Sequence, residues 1–213
     1  MDKSKLIWKN KFFSLGLTGS VGSGKTTAAG FFREEGARVE NADDIAKSIF
    51  ERKDIQKAMI DYFGNEITDA NGTVDRSKVA RRIFSNSKDR EFLNGLIHPH
   101  VREELKRKRI KTEEGTLFVY DVPLLFETDQ DHEYDLTLLI TAPDHIRSRR
   151  TIERNGWTEE EFEKRNISQL SQENKASRAD LVYSNDGNLE EMHTFIKKLY
   201  NDIMAQSPGQ LQS

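Results

Sequence analysis

Residues 19–26 read Gly-Ser-Val-Gly-Ser-Gly-Lys-Thr. Gly19 and Gly24, followed at once by Lys25 and Thr26, have the spacing of a phosphate-binding loop. Glycines there let successive backbone N–H groups turn inward onto phosphate oxygens, and a helix N-terminus behind them adds partial positive charge. Gly22, Ser23, Gly24 and Thr27 complete the cradle. Lys25 has the length to reach the outer phosphates, and the Thr26 hydroxyl can ligate Mg²⁺. The string therefore predicts binding of a nucleoside triphosphate. Moving its terminal phosphoryl to a hydroxyl needs two more things: a carboxylate that orients the hydroxyl and takes its proton, and cations that meet the charge in flight. Asp43 is the candidate carboxylate, the alternatives being an exposed loop acid or a helix cap, which Asp44 can also supply. Arg147, Arg150 and Arg154, at i, i+3 and i+7, share one helix face and are the candidate cations; a solvated basic stripe paired with Glu153 and Glu159–Glu161 is the plainer reading. Asp121, at a predicted strand end, stands where an acid can hold Mg²⁺ through water.

These residues need elements to position them. The apolar run 12–18 before the loop reads as a buried strand, and 26–36 as a helix stopped by Gly36. A second strand over 37–43 leads to Asp43. Strand, helix and strand within about 30 residues make a βαβ unit with a parallel sheet. Further strands are predicted over 116–127, 136–143 and 179–187, with an amphipathic closing helix over 188–205 and a frayed tail over 206–213. Between the second and third strands lie about 70 residues with helical patterning (55–64, 76–84, 88–97 and 99–115), too many for a plain crossover. Pro99 is expected in the first turn of the last of these. A second helical stretch, 144–177, is expected to fold as a hairpin bending at Asn155-Gly156, its second arm opening on an acidic turn. Both insertions would flank the C-terminal edge of the sheet, where ligands of such folds bind.

The bulk numbers narrow the classes. With 213 residues the chain suits one domain carrying inserted subdomains (core 12–43, 116–143 and 179–205; helical insertion about 44–115; lid about 144–177). A net charge of −3 argues against a nucleic-acid binder. The cluster Lys-Arg-Lys-Arg at 106–109 is flanked by acids and reads as a solvated helix face. The absence of cysteine excludes disulfides, thiolate metal sites and a thiol nucleophile. No apolar run approaches the roughly 20 residues of a membrane span. The charged start, residues 1–11, lacks a leader's apolar core. A cytoplasmic protein, with no membrane partner and working as a monomer, is expected, and the glycosylation-like triplets at 71–73 and 166–168 carry no meaning. A GTPase would need Asn-Lys-x-Asp after an apolar strand. The nearest string, Asn174-Lys175-Ala176-Ser177, has the wrong fourth residue and a polar lead-in. Two helical insertions beside a phosphate loop suit a small kinase, one for the acceptor and one to exclude water.

Five strings fall together at this point: GLTGSVGSGKTTAAGFFREEGARVENADDIAK, FGNEITDANGTVDRSKVARRIFSN, LNGLIHPHVREEL, DVPLLFET and ADLVYSNDG. In order and spacing, from about Leu15 to Leu199, they resemble the dephospho-CoA kinase family. The resemblance implies an α/β P-loop core of about five parallel strands with a helical CoA-binding insertion and a helical lid. It implies transfer of the γ-phosphoryl of ATP, with Mg²⁺, to the 3′-hydroxyl of the ribose of dephospho-CoA. Carried over by position, Asp43 is the base, with Lys25 and Arg150 as catalytic cations. Arg154, Asn185 and Gly187 join the nucleotide site, the last two beside adenine, where a plain strand-to-helix turn explains them equally. Arg76, His98, Pro123, Leu124 and Leu125 would bind the acceptor. For Leu124 and Leu125 a core role is open, for His98 a structural one, and for Asp75-Arg76 a cap with an ion pair. Arg102, a turn beyond His98, can share its face. This chain departs from the family where Asn41-Ala42-Asp43 replaces Asp-Ala-Asp and where Arg147 stands at a position often held by Gln. Asn41 cannot act as a base but can position one. Another small-molecule kinase of the same architecture is the alternative, and a non-catalytic nucleotide-binding module, favoured only by Asn41, is the reading from a different class.

Overall fold

The computed structural model describes residues 6–8, 11–110 and 114–207, with the side chains at 84–85 and 109–110 outside that description. The fraying expected of the tail falls, from residue 208 on, outside the described residues. Among the described residues there are five strands: β1 (Phe12–Gly19), β2 (Arg38–Asn41), β3 (Thr116–Asp121), β4 (Leu136–Thr141) and β5 (Leu181–Ser184). They stand in the order β2-β3-β1-β4-β5, and every neighbouring pair is parallel. The helices are α1 (Lys25–Glu34), α2 (Ala42–Phe50), α3 (Lys53–Phe63), α4 (Arg76–Ser85), α5 (Ser87–Ile110), α6 (Asp144–Asn155), α7 (Glu159–Ile167), α8 (Gln172–Ala176) and α9 (Leu189–Met204). The chain divides into two compact units, Met1–Asn41 with Thr112–Ser213, and Ala42–Lys111. Among the described residues no helix is long and apolar enough to cross a membrane.

The sheet organises the larger unit. β1 is central and buried along nearly its whole length, which is why it reads as a continuous apolar run and not as an alternation. Phe13, Leu15 and Leu17 of β1 and Leu136, Leu138 and Ile140 of β4 share one core with Ala28, Ala29 and Phe32 of α1. α9 adds Met192, Ile196, Leu199 and Ile203, spaced i, i+4, i+7 and i+11 along one stripe. Burying each of the larger side chains contributes about 1.5–3 kcal/mol. Gly16 has to be small, because a Cβ there would come within 2.7 Å of Leu125 and 2.8 Å of Tyr134. Two acids staple the strand starts. The Asp135 carboxylate accepts from the Ser14 N–H and hydroxyl at 2.8 and 2.7 Å. The Asp180 carboxylate accepts from the Thr137 N–H and hydroxyl at 2.8 and 2.9 Å.

One predicted boundary is corrected in this unit, and one predicted hairpin gains a helix. The third strand does not run to 127 but stops at Asp121. The Val122 N–H still bonds to the Leu17 carbonyl at 2.9 Å, but Pro123 has no N–H to give and the chain turns through 123–129. Leu125 is fully buried against Gly16, so its side chain is core and offers no surface to an acceptor. The helical hairpin of 144–177 does bend at Gly156, which caps α6 in the left-handed region at φ 68°. α7 opens with a capping box between Thr158 and Glu161 and three glutamates in its first turn. The stretch then adds α8, which contains the Asn174-Lys175 string. Lys175 is 0% exposed there, its ammonium 2.8 Å from Glu127. Glu127 also accepts from the Leu170 N–H at 3.1 Å, and Arg178 donates to the Phe126 carbonyl and to Asp131 at 2.8 and 2.6 Å. The turn after β3 is thereby bolted to the segment 170–178.

The smaller unit is helical. Ile45 and Ile49 of α2, Ile55, Met59 and Phe63 of α3, Val79 of α4 and Ile97 of α5 form a separate core with Ile67 and Val74. Tyr62 stacks on Phe92 at 3.7 Å, and Phe63 meets the edge of both rings. Asp75 caps α4 by accepting from the Ser77 and Lys78 N–H groups. The two helices expected over 88–97 and 99–115 are one, α5, with Pro99 in its interior. Proline removes a single i→i−4 bond, here the one to the carbonyl of Gly95, and a 24-residue helix packed on α2, α3 and α4 bears that loss. In the basic cluster, Arg107 pairs along its own helix with Glu104, as a solvated face requires.

Candidate active site

β1 delivers the chain to the loop, and α1 takes it away. Gly22 and Gly24 adopt φ of 78° and 96°, values that a side chain resists, so the loop needs glycine at both. The turn is closed by the Ser23 N–H on the Ser20 carbonyl at 3.0 Å. Gly24 caps α1 without a side-chain bond, which leaves the positive helix end open to an anion. Asn185, following β5, reaches under the loop, and its amide donates to the Ser23 carbonyl at 2.7 Å. Its own N–H is held by the Thr141 carbonyl at 2.7 Å. The Ser23 hydroxyl is buried with no partner among the described residues.

A cavity of about 580 Å³ opens on this loop. Residues 19–27 line it together with Pro123, Arg150, Glu153, Arg154, Gln169, Asn185 and Leu189. Of the nucleotide-site residues expected from sequence, Gly22, Ser23, Gly24, Lys25, Thr26, Thr27, Arg150, Arg154 and Asn185 thus share one cavity wall. Gly187 does not; it is exposed against Glu191, outside the lining. A guanidinium nitrogen of Arg150, Nη1, is buried with no partner among the described residues. A buried guanidinium nitrogen without a partner beside a phosphate loop is costly until an anion arrives. Arg154 is exposed and donates to Asn155 at 3.1 Å.

Lys25 forms an ion pair with Asp121, the last residue of β3. The Asn41 amide, opposite Asp121 in the register, donates to the same carboxylate at 3.4 Å. Asn41 therefore orients Asp121 rather than serving as a base. Thr26 is exposed, with its hydroxyl at the cavity wall. A hydroxyl and a carboxylate are the hard oxygen donors that Mg²⁺ takes, directly or through water, so these residues fit the ion. Among the described residues there is no cluster of three or more His or acidic side chains able to hold a metal without substrate.

Arg147 departs from the expected stripe. It is 1% exposed, donating to the Val21 carbonyl at 3.1 Å, Asp144 at 2.7 Å and Asn166 at 2.9 Å. Only Arg150 and Arg154 of the three face the cavity. Pro123 lines the cavity and Leu124 is exposed, while Leu125 belongs to the core. Gln169 and Leu189 escaped the sequence reading, and Glu153 entered it only as a partner of the basic stripe. They lie in polar segments where nothing in the local pattern sets them apart.

The remaining expected residues lie in the helical unit. Asp43 is exposed in the first turn of α2, two residues past the end of β2. Asp44 beside it pairs with Lys47 at 2.9 Å. Arg76 donates to the Lys47 carbonyl at 2.8 Å and to Glu51 at 3.0 Å, and lies over the Phe50 ring, so it ties α4 to α2. His98 is half-buried within α5, and Arg102 is exposed one turn further on.

Comparison with known proteins places the family and the fold. The family model described as dephospho-CoA kinase matches residues 13–191. A dephospho-CoA kinase of Fusobacterium nucleatum is 40% identical over 192 residues, covering 89% of this chain and 97% of its own. One from Corynebacterium glutamicum is 34% identical, covering 90% and 98%. Among solved structures, a Thermus thermophilus protein superposes with a TM-score of 0.81 at 32% identity, covering 89% of this chain and 97% of its own. A dephospho-CoA kinase from Campylobacter jejuni superposes at 0.67 with 22% identity, covering 91% and 98%, and shares the fold.

Proposed function

The chain belongs to the dephospho-CoA kinase family, and we propose that it moves the γ-phosphoryl of ATP to the 3′-hydroxyl of the ribose of dephospho-CoA, giving coenzyme A and ADP. The observation that carries this reading is the single cavity in which the phosphate loop, Lys25 and the unpartnered Arg150 nitrogen converge. The loop N–H groups and the α1 terminus hold the phosphate chain. Lys25 exchanges its bond to Asp121 for the phosphates. Arg150 and Arg154 meet the charge that spreads over the oxygens of the transferring group. Asp43 orients the acceptor hydroxyl and accepts its proton as the new O–P bond forms and the bond to ADP breaks. Thr26, with Asp121 acting through water, would hold Mg²⁺, which neutralises charge on the outer phosphates when bound. Arg76, His98, Pro123 and Leu124 are the proposed acceptor contacts, with Asn185 beside the base. The helical unit 42–111 is the proposed acceptor subdomain, and 144–177 the lid. The cytoplasm is the proposed setting.

An ADP-release assay across acceptors tests the reading. Turnover is expected with dephospho-CoA and not with nucleoside monophosphates. The reverse pattern would remove the proposed reaction.

A further inference from the structure

Val21 stands at the tip of the phosphate loop, and two side chains from the stretch 144–177 hold the backbone on either side of it. The Val21 N–H donates to Gln169 Oε1 at 3.1 Å. The Val21 carbonyl accepts from Arg147 Nη1 at 3.1 Å. The Arg147 side chain is itself held from several sides. Arg147 is buried, its Nη2 fixed by Asp144 and Asn166, and its guanidinium lies 5.4 Å from the centre of the Phe162 ring. The loop also presses on α6 directly, since a Cβ on Gly22 would come within 2.5 Å of the Arg147 carbonyl oxygen. A loop with glycines at 19, 22 and 24 loses much backbone entropy when it orders.

We propose that Arg147 and Gln169 are positioning residues that clamp the loop at Val21 in its phosphate-accepting shape before nucleotide arrives. The proposal rests on the kinase reading for its purpose but is tested by nucleotide binding alone. With the clamp in place the ordering cost is met during folding. Without it the cost falls on the binding step, so affinity drops while the bound loop still reaches the same reactive arrangement.

The test uses Gln169→Leu, Arg147→Met and the double variant of the full chain. ADP affinity is measured by calorimetry without acceptor, alongside steady-state kinetics. Each single change is expected to weaken ADP about tenfold and to raise KM for ATP in step, with the effect on KM and not on kcat. The double variant is expected to be about as weak as the worse single one, because both bonds serve one stretch of backbone. Unchanged ADP affinity in Gln169→Leu, losses that multiply in the double variant, or a fall confined to kcat would each overturn the clamp. Should Arg147→Met fail to fold, Gln169→Leu alone carries the binding test. A wild-type protein that binds ADP but leaves dephospho-CoA unphosphorylated would remove the proposed reaction and leave the clamp to be decided by binding.

Discussion

Asp43 and Lys25 differ in how much structure depends on them, and their variants should differ accordingly. Asp43 is exposed in the first turn of α2. Asp43→Asn should lower kcat by about 10²–10⁴, the usual worth of a positioned base, with an unchanged melting temperature. A variant that keeps wild-type turnover would remove Asp43 from its proposed role. Lys25 is paired with Asp121, itself buried at the end of β3. Lys25→Ala should cost about 10²–10³ in turnover and also lower the melting temperature, because a buried carboxylate loses its ammonium. Replacing Asp121 by Asn in the same background should restore melting but not activity, separating the two effects. Which residues were legible follows the range of their contacts. Gly22, Gly24, Lys25 and Thr26 announce themselves because the turn and the phosphate demand them within eight residues. The burial of Arg147, the grip of Asn185 on Ser23 and the bond from Val21 to Gln169 join residues 126, 162 and 148 positions apart, and no local pattern encodes such pairs.

At the scale of elements, periodicity predicted every strand and most helices, and it failed where tertiary packing overrode a local signal. Pro99 marks a helix start in sequence, yet α5 runs through it because its flanks pack on α2, α3 and α4. The run 116–127 looks like one strand since Leu124, Leu125 and Phe126 are apolar, but Pro123 turns the chain away. Among the contacts that hold the resulting turn is the pair between Glu127 and the fully buried Lys175 of α8. Lys175→Met leaves a largely buried carboxylate without its cation and should lower stability by up to about 3 kcal/mol, read from the denaturant midpoint. Changing Glu127 to Met in the same chain should recover much of that loss, since an apolar pair of similar volume packs without a charge to desolvate. A double variant as unstable as the single one would show that Glu127 holds the turn through the Leu170 N–H instead.

For the whole molecule, the two apolar clusters are built from different residues, one from the sheet with α1 and α9, the other from α2 to α5. Hydrogen exchange in mild denaturant should therefore reveal two cooperative groups, with the amides of β1, β3 and β4 in one and those of α2–α5 in the other. A single group spanning both would contradict this division. The chain leaves the sheet unit once, after Asn41, and returns once, before Thr116. Only two junctions separate the helical unit from the rest, so it is in effect a cassette. Every residue lining the phosphate-loop cavity lies outside that segment, so exchanging it is expected to leave nucleotide binding in place. Grafting the corresponding segment of a relative between those junctions should give chimeras that keep the host's ADP affinity and take their acceptor preference from the donor.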